Sequence, residues 1–144
     1  KPTEVIQDQL RKVGINAEIE KYERGVWLDK TRTQHDYEIT VMNTNAPYPD
    51  GDYLYPLMHS EYIENGKNWV EAKIPELDEL LVKERNSTDE KERTELFKEI
   101  CKVMDENMII VPLYNSNMAV TARADLKGVV PSSTRRHFVY DFSW

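Results

Sequence analysis

The stretch of sequence best suited to bind a small molecule is the turn-rich segment 43–55, Asn-Thr-Asn-Ala-Pro-Tyr-Pro-Asp-Gly-Asp-Tyr-Leu-Tyr. It directly follows a predicted β-strand, and ligands of α/β folds bind beyond the carboxyl ends of strands. Its tyrosines Tyr48, Tyr53 and Tyr55 each offer an apolar ring face and a polar hydroxyl group. The segment therefore predicts a small-ligand site, with a packed surface loop as the alternative.

A catalytic site is the second possibility, with Asp50, Asp52 and His59 acting in a hydrolase-type enzyme domain. Turn loops are commonly rich in aspartate, so paired carboxylates do not by themselves indicate catalysis. The sequence contains no Gly-x-Ser-x-Gly elbow, no Gly-x-x-x-x-Gly-Lys phosphate loop and no Gly-x-Gly-x-x-Gly pattern. We therefore predict that the chain is not an enzyme, and we assign no catalytic residue.

Metal ligands and reactive thiols receive little support from the spacing of histidine and cysteine. The histidines His35, His59 and His137 do not lie three to five residues from one another or from Cys101, so no zinc pattern exists. Cys101 follows the apolar Ile100 on a strongly amphipathic helix, which predicts a buried or half-buried side chain and not a nucleophile. A single cysteine also excludes an internal disulfide.

Composition limits the class of protein further. The chain has 144 residues, 40% of them hydrophobic and 31% charged, which fits one globular domain. Its net charge of −7 disfavours nucleic acid and anionic membranes as partners, in spite of the basic cluster at residues 135–136. The start Lys1-Pro2-Thr3-Glu4 has no signal-peptide pattern, and we expect it to be a cut within a longer sequence.

The elements that would position these residues alternate between helices and strands. Apolar spacing and turn signals predict helices over 3–13, from Pro75 onward, and after a capping-box pattern at Ser87-Thr88-Asp89-Glu90. Alternating or β-branched runs predict strands over 15–22, 37–42, 108–114 and 118–122. The predicted fold class is therefore α/β, with a mixed sheet flanked by helices.

Several segments, in order, resemble family 5 of the bacterial extracellular solute-binding proteins, the dipeptide, oligopeptide and nickel group. The helix–strand unit at 4–19 is similar to the family's I-x-x-Q-L-x-x-x-G-I-x-x-E, and Trp27 with 35–38 to its W…Y-D approach to a strand. The third similar motif is 46–54, the fourth combines 74–81 with parts of 89–97 and 110–114, and the fifth is 126–128. They cover nearly the whole chain, and five weak motifs in one order are fairly specific.

The resemblance implies one lobe of a type II periplasmic-binding-protein-like fold, truncated on its amino-terminal side. Residues 1–126 would form part of the carboxy-terminal lobe, and residues 127–144 an extended tail that returns to the other lobe. Two such lobes close on a ligand like a hinge. Alone, this chain would then form no complete cleft. A small interaction module that uses the aromatic tail 137–144 is a further alternative.

The implied function is that of the substrate-binding component of an ABC importer for peptides or nickel complexes. The implied partners are the ligand and the ABC permease subunits, without a cofactor or nucleic acid. The implied location is extracellular or periplasmic, with the full-length lipoprotein held to the membrane through a lipid anchor outside this chain.

The site residues implied by the resemblance lie in and after the segment 43–55. Ala46-Pro47-Tyr48 is similar to the A-P-Y-D-P of nickel-binding members, whose tyrosine lines the cleft, so Tyr48 leads the predicted ligand-binding residues. The others are Asn43, Asn45 and Asp50. His59 lies near the histidine of those members and is a candidate metal ligand. The aspartate that pairs with a peptide amine in peptide-binding members corresponds to a position near Ala46, and their tryptophan to Asn43 or Thr44.

Overall fold

The computed structural model describes residues 2–43, 50–115, 119–130 and 142–143. The chain divides into two compact units, residues 1–43 and residues 44–144. The predicted division at residue 126 stays a prediction. The predicted site residues Asn45 and Tyr48, and most of the aromatic tail, lie outside the described residues.

The first unit begins with helix α1 (Pro2–Lys12), which ends at the predicted glycine. Gly14 adopts a φ of +86°, a conformation that glycine reaches without strain. The amide of Gly14 donates to Arg11 O at 3.1 Å and that of Ile15 to Leu10 O at 3.0 Å. This is a Schellman motif, which satisfies the last carbonyls of the helix and turns the chain back.

Side-chain hydrogen bonds hold the segments that follow each helix of this unit. The Gln7 amide group donates to Ala17 O at 2.8 Å, which ties residues 15–20 to α1. In helix α2 (Arg24–Arg32), the Trp27 indole N–H donates to the Thr40 hydroxyl at 2.9 Å. The Thr31 side chain is buried and donates back to Trp27 O at 2.8 Å. Each helix thus holds the non-helical segment that follows it through one side-chain hydrogen bond.

The second unit is built around helix α4 (Pro75–Asn86) and helix α5 (Glu90–Glu106), preceded by the short helix α3 (Tyr55–Met58). Single 3-10 turns at Gly51–Leu54 and Ser60–Tyr62 flank α3. The buried core comes from the inward faces of these three helices: Tyr55, Met58, Leu77, Leu80, Leu81, Ile100 and Val103. The 3.6-residue apolar period predicted in the sequence places these side chains inside.

The start of α5 differs in detail from the predicted capping box. Asp89, and not Ser87, is the N-cap residue, and its carboxylate accepts the Glu92 amide N–H at 2.8 Å. The Ser87 hydroxyl instead donates to the Glu92 carboxylate at 2.5 Å. Asp89 takes the capping position because the helix begins at Glu90, and an aspartate there also interacts favourably with the helix dipole.

The predicted α/β fold with its mixed sheet is wrong for the described residues, which are helical and contain no strand. The β-structure among them is one isolated antiparallel bridge between Lys127 and Ser143. The predicted alternation is present only at 17–20, where Ala17 and Ile19 are half-buried and Glu18 is exposed, whereas Ile15 is 52% exposed. A strand also needs a neighbour to pair its N–H and C=O groups, and no described segment supplies one.

The apolar run 108–114, which the sequence predicts as a buried strand, also forms no strand. Its members Val111 and Tyr114 are 61% and 70% exposed. Cys101 is exposed as well, which contradicts its predicted burial. The register of α5 explains this, because Ile100 and Val103 fill the inward face and leave position 101 outside.

Across the four described ranges, none of the helices combines the length and the apolar character that crossing a bilayer requires.

Gly51 makes the closest approach between the 3-10 turn and α5. A Cβ atom at this position would lie 2.0 Å from Cζ of Phe97, so alanine would force the ring to move. We expect Gly51→Ala to lower the free energy of unfolding by about 1 kcal/mol, since a half-buried ring can shift in part. Urea unfolding followed by far-ultraviolet circular dichroism measures this.

Gly25→Ala is the matched control for that substitution, because nothing lies within 4 Å of a Cβ at this helical position. It should be neutral or slightly stabilising, since alanine favours a helix more than glycine does. Phe97→Leu should relieve the clash in the double variant. Equal stability of Gly51→Ala and the parent would contradict the close contact.

Candidate ligand-binding site

The predicted site residues that the structure describes are distributed over both units. Asn43 is the last residue of the first unit and is exposed. Asp50 and His59 lie in the second unit, at either end of the stretch that contains α3. The second unit therefore provides the geometry from which a site can be built.

Asp50 holds the start of the 3-10 turn and an arginine of α5 at the same time. Its carboxylate accepts the Asp52 amide N–H at 2.9 Å, as the N-cap of Gly51–Leu54. It also accepts from Arg93, with Nη2 at 2.6 Å from Oδ1 and Nη1 at 3.3 Å from Oδ2. The hydrogen bonds from Arg93 are the largest cause that lowers the pKa of Asp50, and the hydrogen bond from the Asp52 amide N–H is the second. The ionised form of Asp50 is therefore favoured.

Arg93 joins this carboxylate to a second one inside the helical core. Its Nε lies 2.7 Å from Oε1 of Glu84, whose side chain is 1% exposed. The hydrogen bonds to Asp50 and then Glu84 raise the pKa of Arg93. A buried carboxylate needs such a partner, and a guanidinium can serve two carboxylates at once. Arg93 thus links the turn, α4 and α5.

Arg85 of α4 forms an ion pair with Asp52 that contains a single hydrogen bond, to Oδ2. Its Nε is 2.9 Å from Oδ1 and its Nη2 donates to Oδ2 at 3.2 Å. The same guanidinium lies 3.9 Å from the ring centroid of Tyr55, a cation–π contact. Burial is the main cause that raises the pKa of the Tyr55 hydroxyl, so the group stays protonated and can donate.

His59 directly follows α3, and its ring packs against an aromatic side chain of that helix. Its ring stacks on Tyr55 with centroids 4.7 Å apart, and its Nδ1 accepts the Glu61 amide N–H at 3.2 Å. Oδ1 of Asp78 is 3.9 Å from the same Nδ1. Within the described part of the chain, no group of three or more histidine, cysteine or carboxylate side chains is placed to hold a metal ion.

These contacts bear directly on the hydrolase alternative. Asp50 and Asp52 are each paired with an arginine, and Nδ1 of His59 accepts the Glu61 amide N–H. A general acid at neutral pH would need a raised carboxyl pKa, whereas that of Asp50 is lowered. The geometry positions these carboxylates as hydrogen-bond acceptors.

An open depression of about 250 Å³ lies beside the Asp50–Arg93 pair. Gly51, Thr94 and Phe97 are among its lining residues. Pockets that enclose small molecules usually measure ~300–1,000 Å³ and are concave. The depression is therefore too small to enclose a ligand by itself, and can contribute only one wall of a site.

Sequence patterns do not predict the roles of Arg85, Arg93 and Glu84 in this cluster. One signal was available for Glu84, because position 84 falls on the same helical face as Leu77 and Leu81, where a carboxylate requires a partner. Arg93 is 43 residues from Asp50 and Arg85 is 33 residues from Asp52. No local pattern connects positions so far apart.

The Asp50–Arg93 contact makes a prediction about pH. The folded pKa of Asp50 lies below its unfolded value of about 3.9, so its stabilising contribution is complete above that value. The contribution is lost as the pH falls through the lower folded pKa. We expect Asp50→Asn to lose less stability than the parent as the pH falls below about 3.9, as measured by urea midpoints.

The groups that bond to this carboxylate are Arg93 of α5 and the Asp52 amide N–H. Glu84 of α4 binds the other side of Arg93, and Glu90 of α5 lines the same depression as Asp50. Parallel acid titrations of Asp50→Asn and the parent would contradict the lowered pKa.

Comparison with known proteins supports the resemblance seen in the sequence. Residues 2–65 match the family described as bacterial extracellular solute-binding proteins, family 5 Middle. The oligopeptide-binding protein OppA of Bacillus subtilis (strain 168) is 27% identical over 135 residues, which are 93% of this chain and 24% of that protein. The dipeptide-binding protein of Escherichia coli (strain K12) is 25% identical over 135 residues, 93% of this chain and 25% of that protein.

A further relative is the oligopeptide-binding protein AppA of Bacillus subtilis (strain 168), 26% identical over 126 residues, 86% of this chain and 23% of that protein. The chain spans about a quarter of the length of these curated relatives. No solved structure matches the chain. These matches support the predicted resemblance to family 5 of the bacterial extracellular solute-binding proteins.

Proposed function

We propose that the chain belongs to the substrate-binding component of an ABC importer and that its ligand is a peptide. The observation that carries the proposal is the alignment of 93% of the chain with two relatives named for oligopeptide and dipeptide binding. A binding role needs acceptors and ring faces in fixed positions and no nucleophile. The contacts of Asp50 and Asp52, with Tyr55 and His59 beside them, are of that kind.

Within this function, segment 43–55 faces the ligand, and Tyr48 stacks on it or hydrogen-bonds to it. Asn43, Asn45 and Asp50 supply further polar contacts. The support is the resemblance of Ala46-Pro47-Tyr48 to a cleft-lining motif, together with the fixed position of the turn that starts at Asp50. The ligand is captured by closure of two lobes, of which this chain contributes to one.

The setting that follows from this function is transport across a membrane. The protein works outside the cytoplasm, extracellularly or in the periplasm, and delivers its ligand to ABC permease subunits. It is held at the membrane as a lipoprotein, through an anchor outside this chain. The extracellular class of its family supports this location.

A nickel complex is the second candidate ligand, favoured by the Ala46-Pro47-Tyr48 motif and by the position of His59. The nearest described carboxylate oxygen to His59 Nδ1 is that of Asp78, at 3.9 Å. In a chelate complex the metal's own small-molecule ligands fill most coordination positions, so one histidine would suffice. The peptide proposal comes first because the relatives above are named for peptides.

Isothermal titration of the protein encoded by the complete reading frame tests both ligands. We expect saturable heats with tri-alanine or a longer peptide and none with Ni²⁺–histidine. Tyr48→Ala should weaken peptide binding at least tenfold, or about 1.4 kcal/mol, because a tyrosine ring supplies much contact area. Tyr114→Ala, at a position that is 70% exposed, is the matched control and should leave the affinity unchanged.

The titration also decides between the alternatives. Binding of Ni²⁺–histidine alone would replace the peptide by a nickel complex as the ligand. An unaltered peptide affinity in Tyr48→Ala would remove Tyr48 from the site while leaving the transport function in place. Turnover of the peptide during the titration would support the hydrolase alternative.

A further inference from the structure

We propose that Arg85 and Arg93 are positioning residues for ligand binding, because together they fix the turn 50–54 to helices α4 and α5. The inference rests on the proposed function, in which Asp50 and the segment before it face the ligand. Neither arginine is proposed to touch the ligand. Their action is on the two carboxylates at the start of the turn.

The first fixed point is the guanidinium of Arg93. Glu84 holds it from the core side, with Oε1 2.7 Å from Nε and 2.5 Å from Nη2. Glu84 is 1% exposed and lies on α4, so the packing around it fixes the position of its carboxylate. The remaining hydrogen-bonding edge of the guanidinium is directed to Asp50 through two hydrogen bonds. A planar donor that is already fixed on one side orients the carboxylate that it binds.

The second fixed point is the guanidinium of Arg85. It lies over the Tyr55 ring at 3.9 Å and contacts both carboxylate oxygens of Asp52. Tyr55 is 7% exposed and belongs to the core, so this guanidinium also rests on a rigid support. Two carboxylates two residues apart are therefore bound by two different helices. A single arginine contact would leave the turn free to rotate about that contact, whereas two contacts fix the orientation of the turn relative to α4 and α5.

A third contact lies between these two points. Gly51 approaches the Phe97 ring so closely that a Cβ atom would lie 2.0 Å from Cζ. Arg93 lies 5.9 Å from the centroid of the same ring. Residues 50–52 are thus held by two ion pairs and one steric contact, all to side chains of α4 and α5. The two arginines therefore fix the position of Asp50 and Asp52 relative to α4 and α5.

Amide hydrogen exchange of the protein encoded by the complete reading frame tests the anchoring without any ligand. We expect Asp52→Asn and Arg85→Met each to accelerate exchange of the amides at 51–54 about tenfold. Exchange within α5 should be unchanged. Arg85→Lys keeps the charge but loses the planar fork, so it should give an intermediate rate. Lys98→Met removes an exposed ion pair on α5 and is the control without effect.

A cycle of variants tests the effect on ligand binding. Glu84→Gln serves as the background, so that no buried charge is left when Arg93 is replaced. Asp50→Asn and Arg93→Gln are then compared singly and together by titration with tri-alanine. If Asp50 depends on Arg93 for its position, each single variant weakens binding and the double variant is no weaker than the worse single one. Fully additive losses would overturn the positioning role.

The two readouts separate this inference from the proposed function. A parent protein that does not bind tri-alanine contradicts tripeptide binding, while the exchange rates still decide whether the arginines fix the turn. Exchange at 51–54 that is equal in Arg85→Met, Asp52→Asn and the parent would overturn the anchoring itself. Faster exchange with unchanged peptide affinity would overturn the link between anchoring and binding.

Discussion

Replacing Asn68 with alanine is expected to destabilise the second unit by about 3 kcal/mol. Asn68 is 0% exposed, and its Nδ2 lies 3.1 Å from each of three backbone carbonyls, those of Met58, His59 and Ala72. Its Oδ1 accepts the Ala72 amide N–H at 3.3 Å. Alanine would remove the Asn68 partner of the Met58 and Ala72 carbonyls and of the Ala72 amide, whereas His59 O still accepts the Tyr62 amide N–H. Each buried group left without a partner costs about 1–3 kcal/mol unless water or relaxation replaces the bond.

The comparison of Asn68→Ala with Asn86→Ala isolates this effect. Asn86 also donates to a backbone carbonyl, that of Val82 at 2.9 Å, but at an exposed position. Water can replace that bond, and alanine favours the helix, so we expect a change below about 0.5 kcal/mol. Asn68→Asp should be at least as harmful as Asn68→Ala, because a carboxylate cannot donate to carbonyl oxygens. Urea unfolding measures all three variants.

The location of Asn68 gives this prediction a consequence for the candidate site. The Asn68 side chain donates to the backbone carbonyls of Met58 and His59 at the end of α3. It therefore fixes the backbone position of His59. We expect Asn68→Ala to raise amide exchange at 59–63 more than at 51–54, where Arg85 and Arg93 provide separate anchors. Equal stability of Asn68→Ala and Asn86→Ala would contradict the role of the buried amide.

The sequence was sufficient to predict the parts of the fold that depend on local patterns. The apolar spacing over 3–13, the proline at position 75 and the polar start of α5 predicted the three longest helices. Gly14 predicted the end of α1, and the structure shows why, since this residue adopts a positive φ. These signals act within one or two helical turns, which is the range that a sequence pattern captures.

The predicted strands failed because a strand is defined by its neighbour. Alternation at 15–20 predicts one half-buried face, which the structure shows only at Ala17 and Ile19, and pairing requires a second segment in register. The exposed apolar side chains at 110–114 show the same limit, since their composition fits a buried strand that no described residue completes. Burial of a run therefore depends on what lies opposite, which composition does not specify.

The candidate site was predicted in part for a similar reason. Asp50 was named as a ligand-binding residue from its place in a turn-rich segment, and that role stays a prediction. Its engagement with Arg93 could not be predicted, because the two are 43 residues apart and meet only when α4 and α5 pack. The core that packs these helices is consequently a determinant of the site.

The largest effect on that core is expected for Leu77→Ala, a loss of about 3 kcal/mol or more in the free energy of unfolding. Leu77 is 0% exposed, in the first turns of α4, within the cluster that contains Leu81 and Ile100. Truncation removes apolar contacts and leaves a cavity that the two helices fill only in part. Val82, on the same helix and 38% exposed, is the control, and Val82→Ala should cost less than about 0.5 kcal/mol.

The same substitution tests whether helix packing supports the turn. Arg85 and Arg93 can hold Asp52 and Asp50 together only while α4 and α5 keep their spacing. If the cavity loosens that spacing, exchange at 51–54 rises in Leu77→Ala even under conditions where the helices remain folded. If the helices respond as a rigid pair, exchange at 51–54 rises only with global unfolding. A rise at 51–54 while the helices stay folded would show that the arginine contacts are lost before the core unfolds. A rise only on global unfolding would show that the core positions the site.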